Sequence, residues 1–282
     1  MAMIAEVAET QAEGRVAALY ADIRQVLGVP FVNLIYRHLA TTPAVLDCVW
    51  AALRPHFASG ELAAQAARLR REIAAQVEGW PVACMEDVPG EARAAAASLV
   101  GMYNEANSLN RVALQHLLGP RGVQAAPQAD PAQADAPADL TRSTVQKPGR
   151  PAIPRLPEFR ELQQRELDRI HRLNAYAEPG TPAMVASLYR HLAAWPDVLR
   201  EVERVLGPLN ERGLLDRARE DACIAAARCA QAQPLAMAPL VDAFYSQYGA
   251  RLRQFADVTI SKMIPIGMAL SRAFGPPRSH PE

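Results

Sequence analysis

The chain predicts an all-α fold, two tandem helical pseudo-repeats packed together as a pseudo-dimer. Three observations predict it. The stretch YRHLATTPAVL at 36–46 returns as YRHLAAWPDVL at 189–199. Without gaps, 36–62 aligns on 189–215, and 13 of the 27 positions are identical. Apolar residues recur at helical spacing through both copies, and no segment alternates as a strand does. Alanine dominates many stretches, which favours helix.

The repeat skeleton gives the local structure. A residue before proline avoids the α region, so one helix should stop near Thr42 and its equivalent near Trp195. Pro43 and Pro196 suit the first turn of the next helix, with Thr42 placed to cap the first of them. Val45, Leu46, Val49 and Leu53 form one apolar stripe, and Val198, Leu199, Val202, Val205 and Leu206 form its counterpart. Pro55 and Pro208 are expected to end those helices. An earlier helix falls within 10–27, on Val16, Leu19, Tyr20, Ile23, Val26 and Leu27. Matching helices are expected at 61–77 and 214–230. A long helix should begin after Pro89 and reach Gly119, and the segment 237–275 mirrors it, also ending at a glycine.

Between the copies, 121–157 is rich in Pro, Ala, Gln and Asp and poor in large apolar residues. It predicts a flexible linker spanning about 30 Å as a coil. The expected domains are therefore 1–120, the linker 121–157, a second repeat over 158–275, and a disordered tail over 276–282. A ligand site in such a pair is expected at the interface of the halves.

Composition narrows the function. With 30 basic and 30 acidic residues the formal charge is zero, against a general nucleic-acid binder. Four scattered cysteines look like free thiols in a reducing compartment. The first residues lack the pattern of a signal peptide, and the most apolar run, 258–270, is broken by Lys262 and Pro265. A cytoplasmic protein with no membrane partner is the expectation.

Several stretches, in order and across both halves, resemble one family: LYADIRQVLGVPFVNLIYRHLATTPAVL (19–46), MYNEANSL (102–109), LAAWPDVL (192–199) and ADVTIS (256–261). The chain is similar to the group I 2-haloacid dehalogenases, which are related in fold to alkylhydroperoxidase-like helical proteins. The resemblance implies hydrolysis of the carbon–halogen bond of small 2-halocarboxylates, without metal or organic cofactor. It also implies a possible homodimer. An aspartate in that family activates a water that displaces halide with inversion, and an asparagine helps to hold the water. Water is a poor nucleophile at neutral pH, so a positioned carboxylate must take its proton.

The resemblance places the helper asparagine at Asn107, which otherwise reads as a helix-surface or cap amide. It places the catalytic aspartate seven residues before Trp195, where this chain has Leu188. A leucine accepts no proton, so activity is in doubt. Expected pocket residues are Phe31, Leu34, Ser187, Leu188, Arg251, Phe255 and Val258. Arg251 is either a carboxylate ligand or an exposed arginine. Glu105 and Asp257 are the remaining candidate bases, the latter reading more readily as structural. The alternative function is a noncatalytic protein on the same scaffold, binding a small carboxylate or serving as a helical interaction module.

Two signals lead elsewhere. His38 and His191 are repeat-equivalent, yet neither has a second ligand one turn away, so no metal site is expected. Cys223 and Cys229 lie about 240° apart around a helix, unlike the Cys-x-x-Cys pair that redox chemistry needs.

Overall fold

A computed structural model describes residues 4–119, 153–178, 184–235 and 244–275. The helices are α1 (Gly14–Leu27), α2 (Leu34–Leu39), α3 (Pro43–Ala58), α4 (Glu61–Glu78) and α5 (Gly90–Leu118) in the first copy. The second copy has α6 (Gln164–Ala175), α7 (Ser187–Leu192), α8 (Pro196–Glu211), α9 (Leu214–Ala232) and α10, a continuous helical segment over 245–273. No strand occurs among the described residues, and the fold is all-α. Residues 121–152 of the expected linker and the expected tail at 276–282 lie outside the described residues.

Four helices form the centre, two from each copy. α5 lies against α10, α4 lies against α9, and each of these pairs also packs on the other. Around them α1 and α2 pack on α3, and α6 and α7 pack on α8 in the same way. The facing stripes are apolar: Leu62, Leu69, Ile73 and Val77 of α4, and Leu215, Ala222 and Ala226 of α9, are buried.

Two local expectations need correction. Pro55 and Pro208 sit inside α3 and α8, which run on to Ala58 and Glu211. Each proline lies in the last turn, where its own carbonyl still takes an amide four residues on, from Ser59 and Arg212. Thr42 occupies the N-cap position without a side-chain cap bond. Its neighbour Thr41 instead turns its hydroxyl back to the carbonyl of His38, at 2.7 Å.

α10 changes winding twice, with π turns at Tyr245–Gly249 and Phe255–Ile260. The second precedes Pro265, which has no N–H and crowds the carbonyl four residues back. Side chains satisfy the loosened carbonyls: Ser261 Oγ donates to Ala256 at 2.7 Å, and Cys223 Sγ to Asp257 at 3.3 Å. Wider turns of this kind often mark functional positions.

An extended strap precedes the first helix of each copy. In the first, the carbonyl of Ala5 meets His38 Nδ1 at 2.8 Å, and the Val7 amide donates to the carbonyl of Arg37. The second strap begins within the segment predicted as linker. Residues 153–157 are seated on the protein, where the Pro154 carbonyl meets His191 Nε2 at 2.8 Å and that of Pro157 accepts from Arg190. Proline carbonyls accept as well as any others, so composition alone did not keep these residues off the surface. Each strap ends in a 3-10 turn, Glu9–Gln11 and Phe159–Glu161.

Repeat-equivalent residues have different partners. Tyr36 donates to Asn110 Oδ1 at 2.6 Å, whereas the buried hydroxyl of Tyr189 has no partner among the described residues. Tyr36→Phe should lower the unfolding free energy by about 1–3 kcal/mol, because it strands a buried amide oxygen. Tyr189→Phe should be neutral or slightly stabilising. Urea unfolding of both variants checks the pair, and an equal loss in both would contradict the asymmetry.

His191 also has a pH signature. Its Nε2–H donates to Pro154, so its Nδ1 accepts from the Tyr103 hydroxyl at 3.0 Å. Burial, with Arg37 and Arg190 nearby, pushes its pKa down to about 4. Burial does the same to His116, also to about 4. The unfolded chain takes up these protons near pH 6.5 and the folded chain only near pH 4. Stability is therefore complete above the first value and falls as pH drops towards the second. The expected loss is on the order of 3 kcal/mol for His191, the more deeply buried of the two, and smaller for His116, which solvent screens. Chemical unfolding across that window should show the slope, and His191→Gln should lessen it, leaving the part that His116 contributes.

Candidate functional site

The two copies meet at a small cavity. Its wall takes the same three positions from each repeat: Asn33, Leu34 and Ile35 from the first, Ala186, Ser187 and Leu188 from the second. α5 adds Tyr103, Asn107 and Asn110, and α10 adds Phe255, Thr259, Ile260 and Met263. The α5 residues stand at i, i+4 and i+7, which puts them on one stripe. Phe255, Thr259 and Met263 follow the same rule, with the π turn at their start. The free volume is about 30 Å³, room for water and little more.

The polar groups of this wall are underused. Asn33 Oδ1 and Asn110 Nδ2 are buried and have no hydrogen-bond partner among the described residues. Asn107 is buried on the same wall. Ser187 Oγ accepts from Arg37 Nη2 at 2.8 Å, which leaves its own proton free to donate. The cavity is also lined by Leu34, Ile35, Leu188, Phe255, Ile260 and Met263. The arrangement offers donors for a small oxygen acceptor and an apolar wall for its substituent.

No Asp, Glu or His of the described residues lines the cavity. Leu188 is 1% exposed and fills the place where the family resemblance puts the carboxylate. Glu105 points away and is exposed, because two residues along a helix turn it to the opposite side. Asp257 pairs with the buried Arg111 at 3.0 Å and serves the packing of α5 on α10. Neither of the two candidate bases therefore reaches the cavity.

Of the eight site residues expected from sequence, the structure brings together Asn107, Leu34, Ser187, Leu188 and Phe255. Three stand elsewhere. Phe31 stacks on Tyr103, with ring centroids 4.3 Å apart, and lines a second cavity. Arg251 is exposed, four residues before Phe255, on the outer side of α10. Val258 is half-buried and off the cavity wall, because the widened turn sends Thr259 inward instead. Sequence reading missed Asn33, Ile35, Tyr103, Asn110, Ala186, Thr259, Ile260 and Met263. Helical spacing from Asn107 could have found Tyr103 and Asn110. The repeat could have found Ile35 as the equivalent of Leu188.

His38 and His191 make carbonyl bonds on their separate straps. Among the described residues, no group of three His, Cys, Asp or Glu is placed to hold a metal ion. Nor is any described helix long and apolar enough to cross a membrane.

Comparison with known proteins gives this geometry a context. Residues 30–140 match the family model for halocarboxylic acid dehydrogenase DehI. A stretch of 49 residues is 43% identical to an (R)-2-haloacid dehalogenase of Pseudomonas putida, and covers 17% of this chain and 16% of that protein. Among solved structures, a D-2-haloacid dehalogenase mutant in complex with D-2-CPA superposes with a TM-score of 0.69. It covers 97% of this chain and 94% of that one, at 16% identity. A D-2-haloacid dehalogenase with L-LA superposes equally well, at 16% identity and over 95% of its own chain. The chain thus shares its all-α fold with these solved structures along nearly its whole length, and its sequence likeness to the haloacid dehalogenases lies in shorter stretches.

Proposed function

We propose that the protein holds a short carboxylic acid, of the 2-halo acid type, in the cavity between its halves, and does not hydrolyse it by the aspartate–water route of the dehalogenases. One observation carries this reading: Leu188 lines the same cavity as Asn107, with no acid or histidine of the described residues in its lining. The Asn107 and Asn110 amides and the Ser187 hydroxyl supply donors for a carboxylate. Leu188, Phe255 and Met263 suit an alkyl or halogen substituent. What is missing is the group that takes the water's proton, and an amide does not replace it. The free volume as it stands holds little more than water, so an acid enters by displacing that water and parting the side chains of the wall.

Restoring the acid tests the reading directly. Aspartate is smaller than leucine, so Leu188→Asp also opens the cavity. Burial of its carboxyl among apolar neighbours raises its pKa towards the range useful for a base. Halide release from each enantiomer of 2-chloropropionate and 2-bromopropionate should be at background for the natural chain. It should rise by about a hundredfold or more in Leu188→Asp, the range a positioned general base supplies. Release by the natural chain would overturn the proposal. Circular dichroism on the variant separates a failed fold from an inactive site.

A further inference from the structure

A second, larger cavity of about 260 Å³ lies beside the first, between the two straps. The stacked Phe31 and Tyr103 and the edge of His191 stand between them. Its walls combine Phe31, Ile153, Pro154 and Leu156 with two arginines, Arg37 and Arg190. These arginines are repeat-equivalent, one from each YRHL copy. They are 1% and 3% exposed.

One carboxylate serves both. Glu6 Oε2 accepts from Arg37 Nε at 3.0 Å and Nη2 at 2.9 Å, and Oε1 accepts from Arg190 Nη1 at 2.7 Å. Burial opposes its ionisation, yet the two arginines hold its pKa below the usual carboxylate range. Glu6 stands three residues before its 3-10 turn. The residue three before the second turn is Leu156, which brings no charge. The other charged groups on the wall have partners of their own: Glu9 with Arg24, Arg155 with Glu161, Glu158 with Arg160. His191 is neutral at physiological pH. Two buried cations thus face one anion. Arg190 spends Nε on Pro157 and Nη1 on Glu6, and its Nη2 has no hydrogen bond among the described residues.

We propose that this second cavity binds a monoanionic carboxylate with a flat apolar body, its oxygens on Arg190 and its body against Phe31, Ile153 and Leu156. A guanidinium edge fits a carboxylate, and a single surplus positive charge suits one negative charge rather than two. Phe31, Ile153 and Leu156 would be left against water by a bare inorganic ion. The site is independent of the small cavity and of its missing base.

Benzoate is the probe, with benzamide as its neutral counterpart, titrated into the full chain by isothermal calorimetry at neutral pH. Benzoate should bind at least about tenfold more tightly than benzamide. Leu156→Glu supplies the second carboxylate from within and should weaken benzoate by about tenfold or more. Ile153→Trp, which fills the cavity without adding charge, should do the same and serves if the first variant does not fold. Asn107→Ala, in the small cavity, should leave benzoate affinity unchanged. No binding to the natural chain overturns the proposal. So does undiminished binding to the folded Leu156→Glu or Ile153→Trp protein, or loss of binding in Asn107→Ala.

Discussion

Repeating a helix that carries Tyr-Arg-His brings two buried guanidinium groups to one interface, and a packed interior must neutralise them. Glu6 is bonded to Arg37 and Arg190 at once and offsets one of the two charges. An unpaired cation there would carry a desolvation cost of several kcal/mol. Much of the structure follows from meeting that cost. The first strap is held across the junction by the acid it delivers. Arg37, fixed by that acid, keeps a hydrogen for Ser187 and so joins the first copy to the second beside the small cavity.

The sequence repeat lines the cavity with the same three positions twice, and the differences between them give it character. Asn33, Leu34 and Ile35 face Ala186, Ser187 and Leu188, so each polar residue of one triplet meets an apolar equivalent in the other. α5 contributes amides and a phenol, whereas α10 contributes mainly apolar groups. Tyr36 finds Asn110, and Tyr189 finds nothing. A junction of two copies therefore gathers both polar and apolar groups around one cavity, as a site for a small amphiphilic acid requires.

The architecture was legible because it rests on strong, long-range periodicity. Two corners with Pro43 and Pro196, and two long stripes, leave little freedom. Helix ends at Pro55 and Pro208 were misread because proline weakens a helix without always stopping it, least of all in a last turn. In the site, Asn107 and Leu188 were reachable through the family resemblance, with the repeat fixing the register around Leu188. Arg251 and Val258 were carried over by the same resemblance and stand off the wall; at Val258 the π turn over Phe255–Ile260 adds a residue that shifts the inward face. The seating of 153–157 was hidden for another reason. Its contacts are made through carbonyls, and composition says nothing of those.

The same charge inventory bears on Leu188. A carboxylate at that place needs either a cation or enough water to stay ionised. Arg37 approaches the wall, but its guanidinium is committed to Glu6, to the carbonyl of Val32 and to Ser187. Arg111, the other buried arginine near the junction, is committed to Asp257, Ser261 and Gln115. No described cation is left to hold an acid ionised in the small cavity, and its volume admits little water. Leucine satisfies that environment with no penalty. The surplus charge of the junction lies on the other side of Phe31 and Tyr103, with Arg190. The electrostatics thus separate the two cavities: the smaller one offers a guest neutral amide and hydroxyl donors, and the larger one offers a guanidinium.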